Sequence, residues 1–465
     1  MTSQMTAEQK KFYEMTEAPI AGVIAKLSVP TIISMLVTSI YNMADTYFVS
    51  QIGTSASAAV GVIMPLMAII QAIGFTLGMG SGNMIARVLG VHDRDAASVY
   101  AAVGFFTSIG VGLSLMLAAF ILGDNLAILL GSTDTILPYA RDYMDIIVIG
   151  APFMAASFTL NCQLRFQGRA YISMLGIGFG GVLNMFLDPL FIFGLGMGIS
   201  GAALATIISQ VISFSILLFF CTKKDALVRV RASNFKPSAD IYACIMKMGV
   251  PSLFRQGTGS IAAIAFNHFA APYGDAAIAA IGIVNRINMF LFSALIGFGQ
   301  GYQPVCGYCY GAKKFNRIRE GFFFCVKVAT VFFTTLGVIV FFNAPDIVAL
   351  FRREDAEVIA IGTRMLRFEC FVLPFVGFYF MNNMLTQTLG RSLRATILAC
   401  ARQGIFFLPA LPILSSALGL LGVQLAQPTS EFCSFLLACC FCVTTLRELR
   451  QEENEYLASQ QDNSL

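Results

Sequence analysis

The 465-residue chain has no tryptophan, two histidines, and a charged fraction of 12%. Soluble domains carry roughly 25% charged residues. A chain with so little charge and 57% hydrophobic residues cannot cover its apolar surface in water. Lipid is therefore the solvent for most of it. Without Trp, any aromatic belt at the membrane boundary rests on Tyr and Phe. With His92 and His268 alone, no nucleophile–His–acid set is available, and no enzyme is expected. No G-x-x-x-x-G-K-[ST] phosphate loop occurs, which argues against ATP-driven work. The net charge of +4 is dispersed through short loops, which excludes a nucleic-acid stripe. Twelve cysteines are scattered, many inside apolar runs. Cys306 and Cys309 form a C-x-x-C without a second pair at zinc spacing, so no metal or redox site is expected. The opening MTSQMTAEQKKFYEMTEAP lacks a charged segment followed by an apolar run. It reads as a short surface helix or mobile tail rather than a cleaved leader.

What is abundant fits the same picture. There are 41 Gly, 42 Phe and 21 Met, and mean hydropathy is +0.75. Small residues let membrane helices approach closely, and Phe and Met supply deformable contact surface. A crossing needs about 20 mostly apolar residues. Twelve such segments fall near 22–44, 57–80, 98–122, 139–162, 170–193, 199–222, 241–270, 277–299, 321–343, 359–382, 393–415 and 420–446. Lys and Arg collect in every second loop, as in Arg87 and Arg94, Arg165 and Arg169, Lys313 and Lys314, and Arg391 and Arg394. The densest set, Lys223, Lys224, Arg229, Arg231 and Lys236, follows the sixth span. Arg352 and Arg353 break the trend, but Glu354, Asp355 and Glu357 stand beside them. The bias puts both termini and the linker in the cytoplasm. The expected division is an N-terminal segment (1–21), a first lobe (22–222), a linker (223–240), a second lobe (241–446) and a tail (447–465). A multi-pass protein of the plasma (inner) membrane is expected.

The halves repeat. Pro30, Gly53, Gly61, Gly78, Gly80 and Gly90 match Pro251, Gly274, Gly282, Gly299, Gly301 and Gly311 at one separation (311 − 90 = 221). The separation becomes 222 at Pro152–Pro374 and Arg169–Arg391, then 223 at Pro189–Pro412. Six spans per repeat is an even number, so both repeats start on the same side. They are then related by a pseudo-two-fold along the membrane normal. The fold class is all-α integral membrane, with twelve transmembrane helices in two six-helix lobes suited to alternating access. A duplicated scaffold without transport is the plainer reading, and such repeats typify transporters.

Ionisable residues at membrane depth cost about 2.5–3.5 kcal/mol and are functional candidates by default. Asp45 follows Tyr41 by four residues and Asn42 by three, so the three share a helix face. Asp188 follows Asn184 by four, and Pro189 removes an amide hydrogen beside it. Thr206 lies in the sixth span. Desolvation of a carboxylate and hydrogen bonds from Asn or Thr act in opposite senses on its proton. The plainer reading puts both acids at span ends or in a cap. The second half has no acid matching Asp45, because position 266 is Phe. Glu369 is a rival coupling site there, among Arg255, His268, Arg402 and Glu431. Pro30 and Pro251 permit bending, and Gly78–Gly82 and Gly297–Gly301 give G-x-x-x-G packing faces.

Three segments carry a resemblance: DPLFIFGLGMGISGAALAT (188–206), GFGQGYQPVCGYCYGAKK (297–314) and YNMADTYFVSQIG (41–53). They resemble the multidrug and toxic compound extrusion (MATE) family over nearly the full chain, in particular the bacterial branch of DNA-damage-inducible and staphylococcal-type exporters. Cys309 stands where that branch usually has Asn. The resemblance implies a V-shaped monomeric transporter that exports cationic amphipathic drugs in exchange for protons or sodium, with no cofactor. It implies a coupling site of Asp45, Asn184, Asp188 and Thr206, with Tyr41, Asn42 and Asn161 along the substrate cavity and Pro30 as the bend. A span-seven acid used for sodium in a related branch has no counterpart here. The alternative is a lipid-linked oligosaccharide flippase of the same superfamily. That reading would call for more cationic residues in the cavity.

Overall fold

The computed structural model describes residues 6–223, 226–352 and 355–462. Lys224, Arg353 and Glu354, used above for orientation, lie outside the described residues. Every regular element among the described residues is helical. A short helix α1 (Ala7–Thr16) precedes the first crossing. The first lobe holds α2 (Ile20–Ser50), α3 (Thr54–Leu89), α4 (Arg94–Leu122) and the one-and-a-half-turn α5 (Asp124–Leu129). Its fourth crossing is α6 (Leu137–Ile147) and α7 (Ala151–Phe166), joined by one 3₁₀ turn. Its fifth is α8 (Ala170–Pro189) with a π turn over Leu190–Gly194, and its sixth is α9 (Gly198–Thr222). The second lobe holds α10 (Ala239–Ala270), α11 (Asp275–Gly311), α12 (Phe315–Ala349) and α13 (Ala356–Thr388). Then come α14 (Ser392–Cys400), a π turn over Ala401–Ile405, α15 (Phe407–Leu418) and α16 (Leu420–Asp462).

Ten crossings are long and apolar enough to span a bilayer by composition alone. The other two, α10 and α13, have the length but carry charge: Lys247 and Arg255 in one, Arg364, Arg367 and Glu369 in the other. They stand where the repeat requires the seventh and tenth crossings. With them the count is twelve, and the chain is a multi-pass membrane protein. The polar tail is not a separate segment. α16 runs unbroken through it, and its 43 residues rise about 65 Å, twice the roughly 30 Å hydrocarbon core. Glu448 and Glu452 pair with Arg391 and Arg394, and Glu453 with Arg319 at 2.7 Å, which ties the projecting end to the second lobe.

The repeat is written into the backbone. His92 and Lys313 both adopt left-handed φ (63° and 57°), a conformation uncommon outside glycine, and they stand 221 residues apart. Asn161 donates to the Ser173 carbonyl and Asn383 to the Ala395 carbonyl, both members of the pair displaced by 222. The slip from 222 to 223 falls between Ser173–Ala395 and Pro189–Pro412. The Ala401–Ile405 π turn sits inside that interval, and its wider loop absorbs one extra residue.

The lobes meet along α2–α11 and α3–α10. Glycine makes the approach: a Cβ on Gly249 would stand 2.2 Å from the Thr76 carbonyl oxygen, and one on Gly297 2.6 Å from the Ile32 Cα. The repeat copy of Gly249–Thr76 is Ser28–Gly297 (249 − 28 = 221; 297 − 76 = 221), but Gly297 abuts Ile32, one turn further along α2, so the two seams differ in register by about a turn. Where α3 crosses α11, equivalents face each other. Gly307 abuts Ala86 and Gly311 abuts Gly90, each pair 221 apart. Self-contact of this kind marks a pseudo-two-fold axis. All of these approaches lie toward the end that bears the termini. α1 seals the same end. A capping box of Thr6 and Gln9 starts it. It then touches both lobes: Phe12 stacks on His92, while Arg317 donates to the Met15 and Ala18 carbonyls and Lys314 pairs with Glu17.

Candidate functional site

In the first lobe, α8 carries small residues toward α9. Gly176 faces Leu217, and Gly180 faces Ser213 with no space for a side chain. On its other side Gly181 lies under the Tyr41 ring of α2. Small residues thus bring three helices together and leave a pocket where they diverge. It measures about 20 Å³ and is edged by Tyr41, Phe158, Gly180, Asn184, Thr206 and Ser209, among others. That volume holds about one water-sized occupant.

Asp188 is fully buried one turn beyond Asn184 of the pocket edge. Asn184, one turn earlier, donates Nδ2 to Asp188 Oδ1 at 3.1 Å and approaches Thr206 Oγ1 at 3.5 Å. The α-helical spacing of 184 and 188 provides the first contact, and the close approach of α9 provides the second. The π turn follows immediately on Pro189, which cannot donate to the preceding turn. Asp45 lies on α2, within electrostatic range of Asp188 and of Tyr41. Asp188 Oδ2 and Asp45 Oδ1 are both buried without a protein donor. Two carboxylates in electrostatic range of each other thus have acceptor capacity left over.

The structure brings together Asp45, Asn184, Asp188, Thr206 and Tyr41. It does not bring Asn161 to them. That amide is turned to Ser173, bonding its carbonyl at 3.1 Å and its hydroxyl at 2.6 Å, one turn of α8 before Ile177 at the pocket edge. Asn42 is half-buried, does not edge the pocket, and its carbonyl accepts from Thr46. Pro30 lies inside α2 at the seam, where the next two residues press on Gly297 of α11.

Tyr143 was not singled out in the sequence. It is fully buried on α6, lies in range of Asp45, Asp188 and Tyr41, and donates to the Met67 sulfur at 3.8 Å. Its neighbours Arg141, Asp142 and Asp145 give the segment a span-edge look. The buried positions Ala140, Tyr143, Met144 and Ile147 nonetheless follow helical spacing, which is the signal that marks Tyr143 as inward.

Glu369 lies elsewhere, buried in the second lobe. The charged groups acting on it are Glu431 and Arg402. Arg402 Nη1 donates to Glu431 Oε1 at 3.0 Å, and its guanidinium lies 4.0 Å from the Phe292 ring centroid. Arg255 approaches Ser252 Oγ at 3.5 Å, and His268 is exposed. Cys306 and Cys309 are buried free thiols. No group of three or more His, Cys, Asp or Glu side chains among the described residues is arranged to hold a metal ion.

The MatE family profile matches residues 30–190 and again 251–413, one match in each half. Multidrug export protein MepA of Staphylococcus haemolyticus (strain JCSC1435) is 29% identical over 445 residues, covering 95% of this chain and 97% of its own. Multidrug export protein MepA of Staphylococcus aureus (strain MRSA252) is 28% identical over 417 residues, covering 90% and 92%. Among solved structures, the outward-facing conformation of a multidrug resistance MATE family transporter of the MOP superfamily matches with a TM-score of 0.90. It is 26% identical, over 96% of this chain and 100% of that one.

Proposed function

The chain belongs to the MatE family of membrane transporters, and from that premise we propose that it is a secondary multidrug exporter. In this reading it expels cationic amphipathic compounds in exchange for H⁺ or Na⁺ by alternating access. It acts as a monomer in the plasma (inner) membrane, with both termini and the 223–240 linker in the cytoplasm. The two lobes, 22–222 and 241–446, rock about the axis through Ala86–Gly307 and Gly90–Gly311. With the terminus-bearing end sealed by that crossing and by α1, the present form is open to the exterior.

The observation that carries the reading is the pair Asp45 and Asp188, in electrostatic range of each other and joined through Asn184 to one small pocket, each with a buried carboxylate oxygen lacking a donor. Two carboxylates in range of each other are short of positive charge. A proton or a small cation supplies it in one state, and the positive head of a drug supplies it in another. Exclusive occupancy by the two is sufficient for exchange, because a ligand shifts a conformational equilibrium only through differential affinity. A pocket of about 20 Å³ admits the ion and not the drug. The drug-accepting form therefore needs α2 moved away from α8. Pro30 suits that movement, since its missing amide already leaves a gap in the ladder of α2. The residues around it slide along the glycine groove of α11.

The test uses purified protein in proteoliposomes and a fluorescent lipophilic cation, under an imposed pH gradient and then a sodium gradient. Dye movement driven by one gradient and lost in Asp45→Asn is expected, and it names the ion. Absence of dye movement under both gradients, across several cationic dyes, would overturn the multidrug reading.

A further inference from the structure

The internal repeat allows the second lobe to be searched at the positions that form the first-lobe pocket. Phe158 maps to Phe380 (380 − 158 = 222), Gly180 to Arg402 (402 − 180 = 222) and Gln210 to Glu431 (431 − 210 = 221). The matched hydrogen bonds of Asn161 and Asn383 fix the first displacement, and the left-handed Gly198 and Gly419 fix the last. The counterpart of the pocket is thus the space around Arg402. A guanidinium enters it from Arg402, where in the first lobe Ser213 closes on Gly180. Phe380 lies 5.7 Å from that guanidinium and Phe292 4.0 Å. Gln427, the counterpart of Thr206 (427 − 206 = 221), donates to Glu431 Oε1 at 2.8 Å.

This space does not balance in charge. Arg402 is one cation, and Glu431 and Glu369 are two acids. Glu369 is 1% exposed and neither of its oxygens has a donor. Glu431 Oε2 is also buried and unpartnered. A buried carboxylate with no donor and no counter-ion is not tolerated in a low-dielectric interior. The three vacant acceptor oxygens and the missing positive charge have the same remedy.

We propose that Glu369 and Glu431 form a second exchangeable site for one monovalent cation, H⁺ or Na⁺, in the second lobe beside the resident guanidinium of Arg402. The site is built by α13, α16 and the π turn between α14 and α15. Its charged members, one from each, are Glu369, Glu431 and Arg402. It uses neither acid of the first lobe, so it stands or falls separately from the transport reading above.

The experiment is infrared difference spectroscopy of the purified full chain in lipid nanodiscs, in an Asp45→Asn, Asp188→Asn background. The protonated-carboxyl band is followed through pH steps, and then through exchange of choline chloride for sodium chloride at fixed pH. One buried carboxyl band is expected, lost on Glu369→Gln. Displacement of the band by sodium assigns a site that takes either cation. Insensitivity to sodium assigns a proton site. Glu431→Gln leaves one acid for one guanidinium, so that variant is also expected to lose the band, by charge balance rather than by deletion of the group. A band that survives Glu369→Gln, or survives Glu431→Gln, overturns the shared site. Either variant alone is decisive if the other fails to fold.

Discussion

Between α8 and α9 of the first lobe a small pocket remains, edged by Gly180, Asn184 and Thr206, with Asp188 bonded to Asn184. Between the matching helices of the second lobe, Arg402 occupies the equivalent place and Glu431 holds it. The backbones agree to the level of single hydrogen bonds and single left-handed residues. The difference lies in side chains at matched positions: Arg402 for Gly180, Glu431 for Gln210, Gln427 for Thr206 and Phe266 for Asp45. A lobe with a tethered cation keeps one of its two acids paired in every state of the cycle. A lobe with acids and no tethered cation must draw its partner from outside. Duplication therefore supplied the shape twice, with one tethered cation for two acids in the second lobe and none for two acids in the first.

The most severe way to break this comparison is to remove the tether. Arg402→Gln leaves Glu431 buried without its charge partner, at an expected cost of about 3–5 kcal/mol. Thermal unfolding of the detergent-solubilised protein reads it directly. Gly180→Ala, which adds volume beside Ser213 in the first lobe, is expected to cost less in the same assay.

Next is the exchangeable side. Asp188→Asn keeps the shape and removes the charge. Gradient-driven efflux is expected to fall by on the order of 5–150-fold, the range of a coupling free energy of about 1–3 kcal/mol. Equilibrium dye binding and folding should be affected far less. A variant that folds and transports normally would remove Asp188 from the coupling site.

The seam sharpens the comparison from the opposite direction, because on both of its sides a glycine of the second lobe is pressed on backbone of the first. Gly249→Val and Gly297→Val each force a side chain into backbone of the other lobe, and overpacking costs about 1–3 kcal/mol. Both should loosen the sealed end by similar amounts, read as lengthened distances between spin labels on α3 and α10. Unequal losses would show that the seam has diverged as the pockets have.

Smaller effects follow. Tyr143→Phe removes a hydroxyl in range of both first-lobe acids, and a loss of about 1 kcal/mol in transport terms is expected, a few-fold in rate. The α1 seal should respond to acid. Burial opposes the charge on Glu14, but hydrogen bonds from Lys11 and Lys26 outweigh it and hold the carboxyl below its usual range. A lowered value means that this contribution is present at neutral pH and lost as pH falls through the carboxylate range. Amide hydrogen exchange over 7–16 is expected to quicken there, while exchange in α2 stays unchanged.

Much of this was legible in the sequence. Twelve apolar segments, the constant separation of Pro and Gly, and the i,i+4 pair Asn184–Asp188 follow from helical geometry and bilayer thickness. Tyr143 was hidden because Arg141 and Asp145, paired on the outer face of α6 at 2.9 Å, dominate its local composition. The bond of Asn161 to Ser173 was not legible, because nothing in the two local sequences pairs them before α7 and α8 pack. Arg402 and Glu431 were visible singly. Their meeting depends on the π turn, which appears in the sequence only as a slip of one residue in the repeat and carries no residue type to announce it.

The glycine crossing at Ala86–Gly307 and Gly90–Gly311 has one more consequence. A position on the axis faces its own counterpart. In a single-half ancestor that assembled as a pair, one codon there would have written both sides of the contact. An added methyl would have been counted twice in the same gap, so the smallest side chain was the only safe choice. Fusion of the halves removed that constraint. Each side can now change alone, and Ala86 opposite Gly307 is a place where one has.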